Sequence, residues 1–313
     1  MNNRYGVIDM GTNTFHLLII EVDQEGIHQL YKEKRPVKIG QGGITKGIIT
    51  DDALQRGVQT LKDFSQKLTD YNVIDYKAIA TSAFRSASNK SHIIEEIKRQ
   101  TSITVHLVDG DHEAQLIYEG VKQAITLDVN DRYLIIDIGG GSVEYIICDH
   151  QSVLWKQSYE IGGQRLMEEF HQTDPISSQN LENLHRHILT ETIGLHEAIS
   201  NYKPNILIGA SGTFDTLVEI YHKRNNMLFV LDSKTEYKLP ISDFYTIHND
   251  LVSKNRKELL LIPGMISMRV DMIVVAISIV KNLTDHHPFD LIKASTYALK
   301  EGVINRMVSE INY

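Results

Sequence analysis

The sequence contains little cysteine, proline or tryptophan and has no long hydrophobic run. Cys148 is the single cysteine of 313 residues, so the chain can form neither an internal disulfide nor a cysteine-rich zinc site. The longest uncharged apolar run, residues 272–280, is far shorter than the ~20 residues of a membrane-spanning helix. With 6 prolines, 20 glycines and 42% hydrophobic residues, the composition is that of a globular protein. We expect no membrane association.

Positive charge is also scarce, because 40 acidic residues exceed 32 basic ones and give a net charge of −8. A general nucleic-acid binder usually has a basic excess, so nucleic acid is not an expected partner. An anionic small substrate would need a local cluster of donors or a metal ion. The N-terminus lacks the features of a signal peptide, and the single cysteine suits a reducing compartment, so we expect a cytoplasmic protein.

An internal repeat is the first informative pattern. Residues 7–19 align without a gap on residues 135–147. Each copy has an apolar segment, an aspartate (Asp9 or Asp137), a turn of small residues and a second apolar segment. This order predicts two β-hairpins with polar tips.

Similar elements are predicted after each hairpin. After the first they are strands at 27–37, 77–80 and 104–108 and helices at 54–68, 92–100 and 113–125. After the second they are strands at 153–159, 205–208 and 290–292, one long helix across 181–199, a helix after Gly212 and a last helix. Three antiparallel strands followed by alternating helices and strands, written twice, predict a duplicated α/β domain.

We therefore predict an N-terminal domain at 1–127 and a C-terminal domain at 128–313, whose last helix could pack back on the first domain. If the domains face each other, both hairpin tips point into one cleft and can hold a phosphate chain from opposite sides.

The second hairpin tip is a candidate phosphate site, formed by Gly139, Gly140, Gly141 and Ser142. Glycine turns let backbone N–H groups approach an anion, and Asp137 just before them could hold a metal ion. A flexible turn whose aspartate binds its own backbone is the alternative. The first tip, with Gly11, Thr12 and Asn13 after Asp9, repeats the pattern and favours function. Neither tip fits the P-loop or the dinucleotide-binding motif.

Four further positions are candidates for chemistry. Glu113 could be a general base or an acidic residue that favours the helix dipole, and Glu144 could reach a metal or be solvated. Arg85 follows a strand end, where it could neutralise a phosphoryl group or be a surface charge. Gly212 and Thr213 lie between a strand and a helix, where an anion could bind or the turn could serve packing alone.

In order along the chain, these motifs resemble those of the exopolyphosphatase and guanosine pentaphosphate phosphohydrolase (Ppx/GppA) family, within the actin-like ATPase superfamily. The matching segments are 8–17, 39–42, 80–85, 110–118, 137–144, 209–213, 269–271 and 299–302. The resemblance implies duplicated ribonuclease H-like (actin-like ATPase) α/β domains with the active site in the interdomain cleft. It also implies hydrolysis of terminal phosphate from polyphosphate or guanosine pentaphosphate, and a possible homodimer.

The resemblance assigns roles to individual residues. Glu113 matches the catalytic carboxylate, and Arg85 and the glycine turn match phosphate contacts. Asp137 and Glu144 match the metal-associated acids, and oxygen ligands beside phosphate favour Mg²⁺ or Mn²⁺.

Three departures from the family pattern leave substrate choice open: Gln115, Val143 and residues 274–276. The alternatives to hydrolysis are an ATP-dependent small-molecule phosphotransferase of the same superfamily and a non-catalytic nucleotide-binding scaffold.

Overall fold

The two hairpins of the repeat each form one side of a mixed β-sheet. The structure is a computed structural model that describes residues 3–230 and 233–311. The chain divides into a first unit, Met1–Gly120 with Leu299–Tyr313, and a second unit, Val121–Ala298. The predicted domain boundary was 127/128, whereas this division falls at 120/121 and groups the last helix with the first unit.

The first unit begins with the elements up to the end of its fourth helix. Its strands are β1 (Asn3–Met10), β2 (Phe15–Asp23), β3 (Gly26–Arg35), β4 (Asp75–Ala80) and β5 (Val105–Leu107). Its helices are α1 (Asp51–Asp70), α2 (Ser82–Ser86), α3 (Lys90–Thr101) and α4 (Gly110–Ala124), and α4 continues past the boundary between the units.

The second unit contains the remaining strands and all later helices but one. Its strands are β6 (Tyr133–Ile138), β7 (Val143–Cys148), β8 (Val153–Tyr159), β9 (Ile206–Ala210), β10 (Glu236–Leu239) and β11 (Leu291–Ser295). Its helices are α5 (Gly163–Phe170), α6 (Ser178–Glu191), α7 (Ile193–Tyr202), α8 (Gly212–Arg224), α9 (Ile241–Val252), α10 (Arg256–Leu260) and α11 (Ile273–His286). The last helix, α12 (Leu299–Ile311), packs on β1 of the first unit.

Sheet topology agrees with the duplication that the repeat predicts. The first sheet has the order β3-β2-β1-β4-β5, and the second has β8-β7-β6-β9-β11 followed by the extra edge strand β10. In both sheets the first three strands are antiparallel and the next pairs are parallel. A register shift lies between Ile19 and Ile20 in one sheet and between Ile147 and Cys148 in the other. The ungapped alignment pairs these same positions.

Burial of apolar stripes explains the helices that the sequence predicted. In α1, the Thr50 side chain accepts a hydrogen bond from the Ala53 N–H (3.3 Å), and a stripe that includes Leu61 and Phe64 is fully buried. The 14-residue α11 carries the apolar run and lies in the core of the second unit. Within the described residues, none of the helices is long and apolar enough to cross a membrane.

One prediction about the elements was wrong, and three elements, α2, α5 and β10, were not predicted. The single helix expected across 181–199 is split into α6 and α7, because Thr192 leaves helical geometry (φ −106°, ψ 23°) and its hydroxyl donates to the Ile188 carbonyl. The sequence analysis also missed α5, which follows two glycines. It missed β10 as well. This short edge strand contains charged residues and is defined by its pairing with β11.

Candidate active site

In the first unit, the candidate residues follow neighbouring parallel strands. The turn after β1 carries Gly11, Arg85 lies in α2 after β4, and Glu113 lies in α4 after β5. The strands β1, β4 and β5 are parallel neighbours, so their carboxyl ends meet at one edge of the sheet. This edge is where ligands bind in open α/β sheets.

The first turn is held by backbone hydrogen bonds. Gly11 N–H donates to the Thr14 carbonyl (3.1 Å), while the Asn13 and Thr12 carbonyls accept from Lys38 and Gly40 N–H (2.8 and 3.0 Å). The N–H and C=O of a trans peptide point in opposite directions. The N–H groups of Asn13 and Thr14 are therefore directed away from the 38–40 segment.

Glu113 and Arg85 form a partly buried ion pair. The Arg85 Nη1 donates to the Glu113 Oε2 (2.7 Å) and also to the Val108 carbonyl (3.2 Å). Only 6% of Glu113 is exposed, although it lies in the first turn of α4. The pair therefore places a positive charge beside a carboxyl group that could act as a general base.

The second turn presents more backbone donors than the first. The carbonyls of Gly139, Gly140 and Gly141 accept from the N–H groups of residues 163, 164 and 162, respectively (2.9, 2.8 and 3.2 Å). By the same peptide geometry, the N–H groups of Gly140, Gly141 and Ser142 are directed away from that segment. Successive backbone amides directed to one side are the arrangement found in anion-binding turns.

Glycine is required where this segment meets the turn. A Cβ on Gly162 would lie 2.4–2.5 Å from backbone atoms of Gly140 and Gly141. Any side chain there would push the segment off the turn, and its hydrogen bonds to the glycine carbonyls would be lost.

Asp137 and Glu144 are directly opposite one another on β6 and β7. Cross-strand partners project to the same face of a sheet, so the two carboxylates are neighbours. The Ser211 hydroxyl donates to Asp137 Oδ1 (2.5 Å) and the Ser158 hydroxyl donates to Glu144 Oε1 (2.7 Å). The two residues are 8% and 2% exposed, so both acids are held in fixed positions inside the second unit.

The α8 N-terminus also lies at the carboxyl edge of the second sheet, directly after β9. Ser211 has a positive φ of 63° before the helix begins at Gly212, and Thr213 is buried. A Cβ on Gly212 would lie 2.1 Å from a guanidinium nitrogen of Arg269. The half-buried Arg269 side chain therefore occupies the space beside Gly212, and any side chain at 212 would have to displace it.

Arg269 is the site residue that the sequence analysis did not select. Its Nε is buried without a hydrogen-bond partner, and the side chain lines a narrow cleft with Gly139, Gly163 and Thr213. Burial lowers the pKa of Arg269, and the carboxylates of Asp215 and Asp137 oppose that shift. The signal in the sequence was an arginine next to the long apolar run, in the matched segment 269–271.

The structure thus assembles the predicted residues in two groups. The first unit brings the Asp9 turn, Arg85 and Glu113 to one sheet edge. The second brings Asp137, Glu144, the glycine turn and the α8 N-terminus to the corresponding edge. In the part of the chain that is described, no cluster of three or more His, Cys, Asp or Glu side chains is arranged to hold a metal ion by itself.

Comparison with other proteins places this arrangement in a family. The model of the Ppx/GppA phosphatase family matches residues 18–311. The chain belongs to this family. The crystal structure of an exopolyphosphatase from Cytophaga hutchinsonii is 44% identical, covers 98% of both chains and superposes with a TM-score of 0.95.

More distant members of the Ppx/GppA family share the fold. The Aquifex aeolicus family member is 21% identical over 100% of both chains, with a TM-score of 0.81. The two units therefore have the duplicated α/β fold of the Ppx/GppA family.

Curated relatives of the Ppx/GppA family include longer proteins. A bifunctional 3-dehydroquinate synthase/phosphatase from Fusobacterium nucleatum is 30% identical over 96% of this chain. A guanosine-5'-triphosphate,3'-diphosphate pyrophosphatase from Pseudoalteromonas translucida is 29% identical over 99% of it. The chain spans 46% and 60% of the lengths of these two proteins.

Proposed function

We propose that this protein is a cytoplasmic phosphohydrolase that removes the terminal phosphate of inorganic polyphosphate or guanosine pentaphosphate with the help of Mg²⁺ or Mn²⁺. Family membership supports hydrolysis of a phosphoanhydride, and relatives are named for both substrates. Both substrates end in the same phosphoanhydride, so either suits the same chemistry.

The Glu113–Arg85 pair is the observation that carries the proposal. A scaffold that only binds nucleotide has no need of a buried carboxylate held at 2.7 Å from a guanidinium at a ligand-binding sheet edge. For hydrolysis this arrangement is useful, because Glu113 can take the proton of an attacking water. The positive charge of the arginine could neutralise charge on a phosphoryl oxygen.

The carboxylates of the second unit fit a divalent cation that is shared with substrate. Mg²⁺ usually binds through one or two carboxylates together with substrate phosphates and water, rather than in a cage made by the protein alone. Asp137 and Glu144 are two such oxygen ligands, and three or more are not required. Bound there, the cation would neutralise charge on the phosphate oxygens.

The residues of the chain would then divide the reaction as follows. The N–H groups of Gly140, Gly141 and Ser142, with Arg85, hold oxygens of the terminal phosphates. Glu113 orients a water molecule and accepts its proton as the water oxygen bonds to the terminal phosphorus. The bond from that phosphorus to the bridging oxygen breaks, and inorganic phosphate leaves together with the shortened substrate. The predicted position of this site, in an interdomain cleft, stays a prediction.

Phosphate release tests the proposal directly. Purified protein with Mg²⁺ is given long-chain polyphosphate, guanosine pentaphosphate or ATP in separate reactions, with the Glu113→Gln variant as the matched control. We expect release from at least one of the first two substrates, and about 10²-fold slower release by the variant. Turnover of ATP only when a small acceptor is added would indicate the phosphotransferase. Binding with no turnover of any substrate would indicate the scaffold.

A further inference from the structure

The C-terminal helix α12 contacts the helix that carries Glu113. A Cβ on Gly302 of α12 would lie 1.9 Å from the Leu116 carbonyl oxygen of α4. The two helices therefore touch backbone to backbone, and only glycine permits this separation. All of these residues belong to the first unit.

One arginine of α12 binds two residues of α4 that lie two turns apart. The Arg306 Nε and Nη2 donate to both carboxylate oxygens of Glu119 (2.6 and 2.7 Å), and Nη1 donates to His112 Nε2 (2.8 Å). A guanidinium has only donors, so His112 Nε2 is the acceptor of this hydrogen bond. Gln115, which lies between them, donates to Glu119 Oε1 (3.1 Å).

The face of α4 that Arg306 contacts lies next to the face that carries Glu113. Residues 112 and 119 are seven apart and so lie on one side of a helix, whereas residue 113 is turned about 100° from 112. The His112 N–H donates to Asp109 Oδ1 (2.7 Å), which ties the start of the helix to the loop after β5. Any rotation or slide of α4 that would displace Glu113 from Arg85 must therefore break contacts of Arg306.

We propose that Arg306 is a positioning residue that holds the first turns of α4, and with them Glu113, in the geometry for catalysis. The proposal rests on the proposed function, in which Glu113 is the general base. Arg306 binds Glu119 and His112, and so acts on Glu113 through the position of α4. Its effect is expected on kcat rather than on KM, because a small misplacement of a catalytic group weakens catalysis more than binding.

The test compares Arg306→Gln in two backgrounds. In the otherwise wild-type protein we expect a loss of about 10-fold in kcat with KM unchanged. In the Glu113→Gln background we expect no further loss, because there is no longer a base to misplace. Arg306→Lys, which keeps the charge but cannot reach both partners, should lose about 3-fold. Arg99→Gln removes an exposed arginine that pairs with Glu96 on α3, and serves as the control for charge.

Hydrogen exchange supplies a measurement that does not depend on turnover. Arg306→Gln should speed the exchange of the amides of residues 113–117 relative to those of α1, whereas Arg99→Gln should not. An equal loss of kcat in both backgrounds, or unchanged exchange in α4, would overturn the positioning role. If the wild-type protein releases no phosphate at all, the proposed function fails. The effect of Arg306 on α4 is then judged by hydrogen exchange alone.

Discussion

The two hairpin turns share a backbone and differ in their side chains. In each, the first glycine donates to the carbonyl three residues later (Gly11 to Thr14, Gly139 to Ser142; 3.1 and 3.0 Å). The acid before the turn is opposite His16 in the first hairpin and opposite Glu144 in the second. The cross-strand pair beside the first turn therefore places an acid 3.9 Å from an imidazole, whereas the pair beside the second turn consists of two acids.

This difference separates the chemistry that each unit can support. Two neighbouring carboxylates repel each other and are stabilised by a cation between them. An aspartate beside histidine has no such requirement. Conversely, the first unit carries the buried Glu113–Arg85 pair after its parallel strands, and the second carries Ser211 and Gly212 at the corresponding strand end. The two copies of the duplicated scaffold therefore differ in the side chains that they place at their sheet edges, an acid–arginine pair in one and two facing acids in the other.

Replacing Asp137 or Asp9, one at a time, should give the largest difference in activity between the two turns. Asp137→Asn should lower kcat/KM by about 10³-fold or more, because loss of a metal ligand removes several kcal/mol of charge stabilisation. Asp9→Asn, the matched control in the other hairpin, should cost at least about tenfold less. Activity is measured across a Mg²⁺ titration and in excess chelator. Equal losses, or full activity with chelator present, would show that the two turns are not specialised in this way.

Glu113→Gln should have the next largest effect, a loss of about 10²-fold in kcat. The amide keeps an oxygen that can accept from Arg85 but cannot take a proton from water. If Glu113 served only the helix dipole, the change would cost at most ~1 kcal/mol of stability and leave turnover intact. Measuring kcat and Tm on one preparation separates the two roles. Wild-type turnover would remove the proton-transfer role from the first unit.

Arg85→Lys should lower kcat/KM by about tenfold. One Arg85 nitrogen contacts both Glu113 and the Val108 carbonyl, and an ammonium cannot hold these partners and also present a planar fork to phosphate. Arg99→Lys, at an exposed pair on α3, is the control and should leave kcat/KM unchanged. A wild-type value for Arg85→Lys would mean that this arginine is a bystander.

The smallest expected difference between the two units is in how their stability depends on pH. The second unit holds five histidines whose pKa values burial lowers: His171, His185, His196, His248 and His287. Burial, with a smaller effect of the neighbouring His287 and His286, brings the pKa of His196 to about 4. The unfolded chain then binds more protons than the folded one between about pH 7 and pH 4, so stability should fall as pH falls through that window.

Histidine variants test whether stability falls with pH for this reason. The drop in Tm from pH 7 to pH 5 should be a few degrees smaller in His196→Asn than in the wild-type protein. His28→Asn, at an exposed position in the first unit, should show the wild-type drop. Identical drops in all three proteins would contradict the effect of buried neutral imidazoles.

Much of the fold could be predicted because its signals are local. Alternation and turn residues marked both hairpins, and the third strand of the second unit was predicted with its observed bounds, 153–159. The composition of the glycine turn predicted a phosphate site, and the directions of its amides are compatible with that prediction. The split at Thr192 escaped prediction because the apolar spacing continues through it, and periodicity alone does not reveal a break in backbone geometry.

What the sequence by itself determined is the duplication, since an ungapped repeat implies equivalent backbones, and the candidates Glu113, Arg85, Asp137 and Glu144. Tertiary structure alone decided which of these groups touch. The Glu113–Arg85 pair joins α4 to α2, the half-buried Arg269 takes the space that Gly212 leaves, and Arg306 reaches α4 from the far end of the chain. Each joins residues distant in sequence, and such contacts depend on how faces pack, whereas a local pattern records only which faces are apolar.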